Sequence, residues 1–156
     1  MYQRILLTLD GSEMAEQAIP HAVNFAKAGN AQINVLCVVS PATASFSYRG
    51  EPPIETENEP SLAQQVIETE LVRAQDYVNE QVHALKEAGL TAEGVSVLGH
   101  PAEAILSYAY EQKADLIVMA THGRSGLGRW AFGSVADRVL RAADVPMLLV
   151  RALEPK

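Results

Sequence analysis

The stretch Met119-Ala120-Thr121-His122-Gly123-Arg124-Ser125-Gly126-Leu127-Gly128-Arg129-Trp130-Ala131-Phe132-Gly133-Ser134 has the composition best suited to holding an anion. It leaves an apolar run, passes through four glycines and delivers Gly133-Ser134 to a helix start. Glycine lets the backbone turn sharply and approach a ligand closely. A helix N-terminus adds unpaired N–H groups and the positive end of a dipole. Together these suit a chain of phosphates, with Ser134 contributing a hydroxyl. The same residues also allow a plainer arrangement, in which the glycines make a tight loop and Ser134 caps its own helix. Residue types alone leave both open.

Two common phosphate motifs do not match. Gly128-x4-Gly133-Ser134 has the P-loop spacing, but no lysine stands between Gly133 and Ser134, so the usual grip on terminal phosphates is missing. Gly126-x-Gly128 lacks the third glycine of a dinucleotide fingerprint, and it follows the fourth apolar run instead of the first. Asp10, after the first run, could suggest a phospho-accepting receiver, but the third run ends in Gly99-His100 where further acids would be needed. His122 reads as an N–H contact or packing residue beside the glycines, His100 as part of a helix start, and Trp130 as a loop anchor. His21 and His83 have no second ligand at metal spacing. Cys37, the one cysteine, rules out an intrachain disulfide and reads as a small buried side chain.

The elements that must position this loop are legible as five short apolar runs, at 5–9, 33–39, 95–98, 116–120 and 147–150. Four are mainly β-branched or aliphatic, as expected of strands covered on both faces. The third alternates more and suits an edge. Between them, Ser12 is an apt N-cap for a helix whose inner face carries Ala15, Ala18, Ile19, Ala22 and Phe25, with a kink at Pro20 and a stop at Gly29-Asn30. A long helix is expected over 61–88, striped by Ala63, Ile67, Leu71, Ala74, Val78, Val82 and Leu85 and stopped by Gly89. Another opens at Pro101 with Ile105, Leu106 and Ala109, and the last follows Gly133-Ser134 with Val135, Val139 and Leu140 inward. Alternating strands and helices predict a single-domain α/β fold with an open parallel sheet and helices on both faces. Ligands of such sheets bind beyond the strands' carboxyl ends, where strand order reverses. Residues 40–60, rich in Pro, Glu, Ser and Thr, read as a long mobile insertion.

With 156 residues and a formal charge of −7, the chain fits one domain and does not suit a nucleic-acid or anionic-membrane surface. Arg124, Arg129, Arg138 and Arg141 nevertheless form a basic island with Asp137 the only acid among them; on charge alone this is read as a solvated helix face. No apolar run approaches membrane-spanning length, and the apolar N-terminal run is too short for a signal peptide, so a cytoplasmic protein is expected.

The spacing Ala120-x2-Gly123-x9-Gly133-Ser134 resembles the nucleotide loop of the universal stress protein family. Leu6-Leu7-Thr8-Leu9-Asp10-Gly11-Ser12 is similar to that family's first strand and aspartate, and Asp115-Leu116-Ile117-Val118-Met119 and Val145-Pro146-Met147-Leu148-Leu149-Val150 to its strands four and five. The resemblance implies strand order 3-2-1-4-5, a Rossmann-like sheet of the adenine nucleotide alpha hydrolase type, and ATP as cofactor, accompanied by magnesium. It places Asp10 on the adenine or ribose side with Thr8 nearby, Val38 against the base through its backbone, and Met119 under the nucleoside. Ala120, His122, Gly123, Arg124, Gly133, Ser134 and Val135 fall in the phosphate loop. Ala120 replaces the family's first glycine, which matters if a positive φ is needed there. The family also implies a homodimer through the strand carrying Met147 and Val150. A nucleotide-responsive stress module, a slow ATPase and a dimeric interaction protein without nucleotide are the three functions to separate.

Overall fold

The computed structural model describes residues 1–41, 61–122 and 133–153, with only the backbone of His122. Five strands alternate with the helices: β1 (Arg4–Leu9), β2 (Gln32–Val39), β3 (Ala92–Leu98), β4 (Leu116–His122) and β5 (Met147–Ala152). They form one sheet in the order β3-β2-β1-β4-β5. Every neighbouring pair is parallel, with Leu7 opposite Val35 on one side and Val118 on the other. The apolar runs explain the arrangement. Ile5, Leu6, Leu7, Ile33, Val35, Leu36, Ile117 and Val118 are fully buried, which requires cover on both faces of the three central strands.

That cover comes from two helical layers. On one face lie α1 (Glu13–Glu16), α2 (Ile19–Gly29) and α3 (Leu62–Glu87), whose Ala15, Ala18, Ala22, Ala26, Val78 and Leu85 pack on Ile5, Leu7, Ile33 and Val35. On the other lie α4 (Pro101–Glu111) and α5 (Ser134–Ala142), whose Ala102, Ile105, Ala109, Ala136 and Val139 pack on Leu6, Leu36, Ile117 and Met119. Each buried aliphatic side chain contributes about 1.5–3 kcal/mol relative to exposure. The expected α/β architecture and strand order are therefore present.

Several local expectations are corrected. Pro20 does not kink one helix: α1 ends at Glu16, and α2 begins at Ile19 with Pro20 in its first turn. A first-turn residue needs no N–H partner, so restarting the helix there costs less than bending it. Phe25 is 40% exposed and meets the Tyr2 ring edge-on at 5.8 Å, while Ala26 takes the inner place. Leu140 is 43% exposed, with Ala136 and Val139 inward instead. The run at 147–150 is only half-buried, because β5 is an edge strand. β3 is the other edge, as its alternation suggested.

The long helix α3 does begin at a Ser61 capping box with Gln64, and it ends before Gly89. Its 26 residues span about 39 Å, whereas the eight residues of β2 span about 26 Å. Only Val78 and Leu85 of the stripe are buried, and Ala63 is exposed, because the first turns overrun the sheet. The helix sits on β3 through Gly94: a Cβ there would lie 2.5 Å from Val78 Cγ1 and 2.9 Å from the Val35 carbonyl oxygen. Two polar contacts add to this seat, from the Ser96 amide to Gln75 Oε1 at 2.8 Å and from the Ser96 hydroxyl to the Leu71 carbonyl at 3.1 Å.

Candidate functional site

At the carboxyl ends of β1, β2 and β4 the rim opens into a cleft of about 1050 Å³. It straddles the gap between β1 and β4, where the sheet order turns back on itself. Thr8, Asp10, Val38, Met119, Ala120, Gly133, Ser134 and Val135 all line it. These are all the expected site residues whose side chains are described. His122 closes β4, opposite Ala152, while Gly123 and Arg124 lie outside the described residues, as do Arg129, Trp130 and the 42–60 part of the insertion.

Strand alternation sorts the floor. Leu36, Val38 and Met119 point to the α4/α5 face, and Thr8 shares the parity of Leu6 on that face. Cys37, Val118 and Ala120 belong to the α1/α3 face. Ala120 sits within β4 opposite Val150, and its φ is not positive; among described non-glycine residues only Asn30 and Lys113 have positive φ. The alanine therefore fits this position without backbone strain.

The helix N-termini at the rim are built differently. Before α1, Asp10 Oδ1 accepts from the Ser12 amide at 3.0 Å and the Ser12 hydroxyl at 2.6 Å, and Ser12 Oγ accepts from the Ala15 amide at 3.1 Å. Asp10 Oδ2 has no partner among the described residues. In the first turn of α4, Glu103 holds its own backbone N–H, which is the main reason its carboxyl lies below the usual range; Arg138 adds to this. α5 has neither device. Its N-cap is Gly133, at φ 83 and ψ 146, with no side-chain cap. The amides of Ser134, Val135 and Ala136 have no partner among the described residues. So Ser134 is the first helical residue and not the N-cap of its helix. Position 133 needs glycine, because other residues are strained at that φ.

Of the basic island, Arg138 and Arg141 are described: Arg138 Nη1 meets Glu103 Oε1 at 3.1 Å, and Arg141 Nε meets Asp137 Oδ2 at 2.8 Å, both on the surface. These two lie on a solvated helix face; Arg124 and Arg129 are outside the described residues. Among the described residues no group of three or more His, Cys, Asp and Glu side chains could hold a metal ion. No described helix is long and apolar enough to cross a membrane.

Part of the wall was missed from sequence. Met14 and Ala15 of α1, and Glu70, Arg73, Ala74 and Tyr77 of α3, also line the cleft. The α3 set recurs every three or four residues, a signal that was available but was read only for its apolar members. The Tyr77 hydroxyl donates to Glu16 Oε1 at 2.9 Å. Burial, then that hydrogen bond, push its phenol well above the ordinary range. Burial, and then the Asp10 charge, push the Cys37 thiol up to about 11.

A doubly wound parallel sheet with a crevice at its switch point, beside a helix start that has no side-chain cap among the described residues, defines the class: an α/β protein whose cleft opens at the strands' carboxyl ends. The family model described as the universal stress protein family matches residues 1–151, and the chain belongs to that family. Universal stress protein MJ0531 of Methanocaldococcus jannaschii is 32% identical over 151 residues, covering 97% of this chain and 83% of that one. A universal stress protein of Thermus aquaticus, from the QAH/OAS sulfhydrylase 3'region, is 37% identical over 152 residues, covering 97% of this chain and all of its own length (100%). Among solved structures, the hypothetical protein MJ0577 superposes with a TM-score of 0.79 at 24% identity, covering 99% of both chains, which shows a shared fold. A universal stress protein in complex with cAMP has a TM-score of 0.59 at 25% identity, covering 96% of this chain and 97% of that one.

Proposed function

We propose that this protein binds ATP in the rim cleft and acts as a nucleotide-responsive regulatory module. The observation that carries the reading is the start of α5. Three amides without a partner among the described residues, of Ser134, Val135 and Ala136, stand behind a positive-φ glycine in the same cleft as Thr8, Asp10, Val38 and Met119. Unpaired N–H groups at a helix start are stabilised by an anion, and a phosphate is the anion a nucleotide brings. In this reading the adenine pairs with the Val38 backbone, the nucleoside lies over Met119, and Thr8 and Asp10 meet the ribose side. The phosphates run towards Ser134 and Val135, with His122, Gly123 and Arg124 in the same loop. The chemistry of the described rim fits such a group, and the complex of a family relative with cAMP supports an adenine nucleotide. Magnesium would come with the phosphates, since clustered phosphates carry that ion. The open edge of β5 supports pairing with a second copy.

The experiment is direct. Protein purified without added nucleotide is acid-extracted, and titration calorimetry with ATP follows. Bound adenine nucleotide, or ATP affinity in the micromolar range or tighter, with negligible phosphate release, is the expected outcome. No extracted nucleotide together with no heat of ATP binding would reject the assignment, and steady ADP production would make the protein an ATPase.

A further inference from the structure

Asp10 is exposed, and its hydrogen bonds among described residues are confined to Ser12. Its direction therefore follows that of the α1 N-terminus, through the Ser12 hydroxyl that also caps the Ala15 amide. α1 has only four residues. One helical turn is an unfavourable nucleus with no stability of its own, so tertiary contacts must decide where it sits. Ala15 and Ala18 anchor its underside in the core. Its orientation about that anchor is set by two consecutive side chains. Glu16 receives the Tyr77 hydroxyl of α3 at 2.9 Å, in a half-buried setting. Gln17 pairs both ways with the backbone of Leu153 beyond β5, donating to its carbonyl at 2.7 Å and accepting from its amide at 3.0 Å. The two tethers pull on α1 from different parts of the fold, so together they resist rotation as well as displacement.

We propose that Tyr77 and Gln17 are positioning residues for the nucleoside half of the cleft: they hold α1, and with it the Asp10–Ser12 turn, in the orientation that presents Asp10 Oδ2 to the ligand. This rests on the nucleotide reading above. The phosphate half, at the start of α5, is independent of both tethers, since neither Tyr77 nor Gln17 makes a hydrogen bond to that helix among the described residues. Loss of a tether is therefore expected to weaken ATP without weakening a bare phosphate chain.

The test compares ATP with inorganic tripolyphosphate on the full chain. Tyr77→Phe removes one hydroxyl and keeps the ring; Gln17→Ala removes both bonds to Leu153. Each is expected to weaken ATP about fivefold, the scale of one net hydrogen bond, with the double variant weaker still. Tripolyphosphate affinity, read by displacement of ATP, should stay unchanged. Amide exchange at Ser12 and Ala15 should accelerate in both variants without ligand. ATP binding retained in full by both variants overturns this inference alone, as does tripolyphosphate weakening in step with ATP. Failure of the unaltered protein to bind ATP overturns the nucleotide reading, and this inference with it.

Discussion

The start of α1 and the start of α5 face the same cleft, and they treat their orphan amides in opposite ways. α1 is closed by its own side chains: the Ser12 hydroxyl takes the Ala15 amide, and Asp10 holds Ser12 in place. α5 has glycine at its cap, and its first three amides have no partner among the described residues. A capped end stabilises the fold by about 1 kcal/mol, whereas an uncapped end forgoes that stability and keeps its donors available. The difference marks which wall is scaffold and which is suited to a ligand. α4 lies between the two, since Glu103 fills its first turn with a carboxylate that is always present.

The contrast can be broken most sharply at Gly133. An added Cβ meets no described atom within 4 Å there, but a valine is strained at φ 83, and the backbone at the start of α5 must change to relieve it. Gly133→Val is expected to lower ATP affinity by about two orders of magnitude in calorimetry, with far-UV circular dichroism unchanged. Full affinity in this variant would show that the open end is not the phosphate site. A smaller change makes α5 resemble α4. Ser134→Asp puts a fixed negative charge on the first turn, which should weaken ATP about tenfold while raising stability by about 0.5 kcal/mol. Measuring both on the same sample separates the two roles, because a purely structural helix end would gain stability without losing affinity. Ser12→Ala opens the closed end. It should cost about 1 kcal/mol in urea unfolding and leave tripolyphosphate affinity unaltered.

A pH-dependent effect comes from Cys37, which lines the cleft. The Cys37 thiol has its pKa raised from 9.0 to about 11 in the fold, so the native state holds a proton that the unfolded chain releases. Its contribution to stability is complete below pH 9 and is lost as pH rises to about 11. Urea midpoints should fall across that window, and Cys37→Ala should flatten the slope. The Tyr77 phenol, raised through burial and Glu16, adds a fall in the same sense beginning near pH 10.

Much of the frame was legible in the residues. Apolar runs such as 116–120, and 5–9 with Thr8 as its one polar member, are best satisfied by burial on both faces, and Ser12, Gly89 and Pro101 mark helix ends through local chemistry that needs no tertiary knowledge. Thr8, Asp10, Val38 and Met119, named from the family resemblance, converge on one cleft at the rim. What escaped depended on competition between neighbours. Phe25 or Ala26 could each fill the inner face of α2, and the short distance to the sheet selects the smaller side chain. Leu140 fits the helical stripe, but Ala136 and Val139 already complete the contact of a nine-residue helix. Glu16, Gln17 and Tyr77 carry no pattern of their own, because their partners stand far away in sequence, at separations of 61 and 136 residues.

Gly94 has a bearing on all of this from the far side of the sheet. Val78 rests on it with no room for even a methyl group, so it fixes how closely the stretch of α3 that carries Tyr77, Arg73 and Glu70 approaches the sheet. A larger residue at that point would lift the helix and strain the ties of Leu71 and Gln75 to Ser96. The width of the cleft thus depends on the missing side chain of one residue on a strand that does not border it.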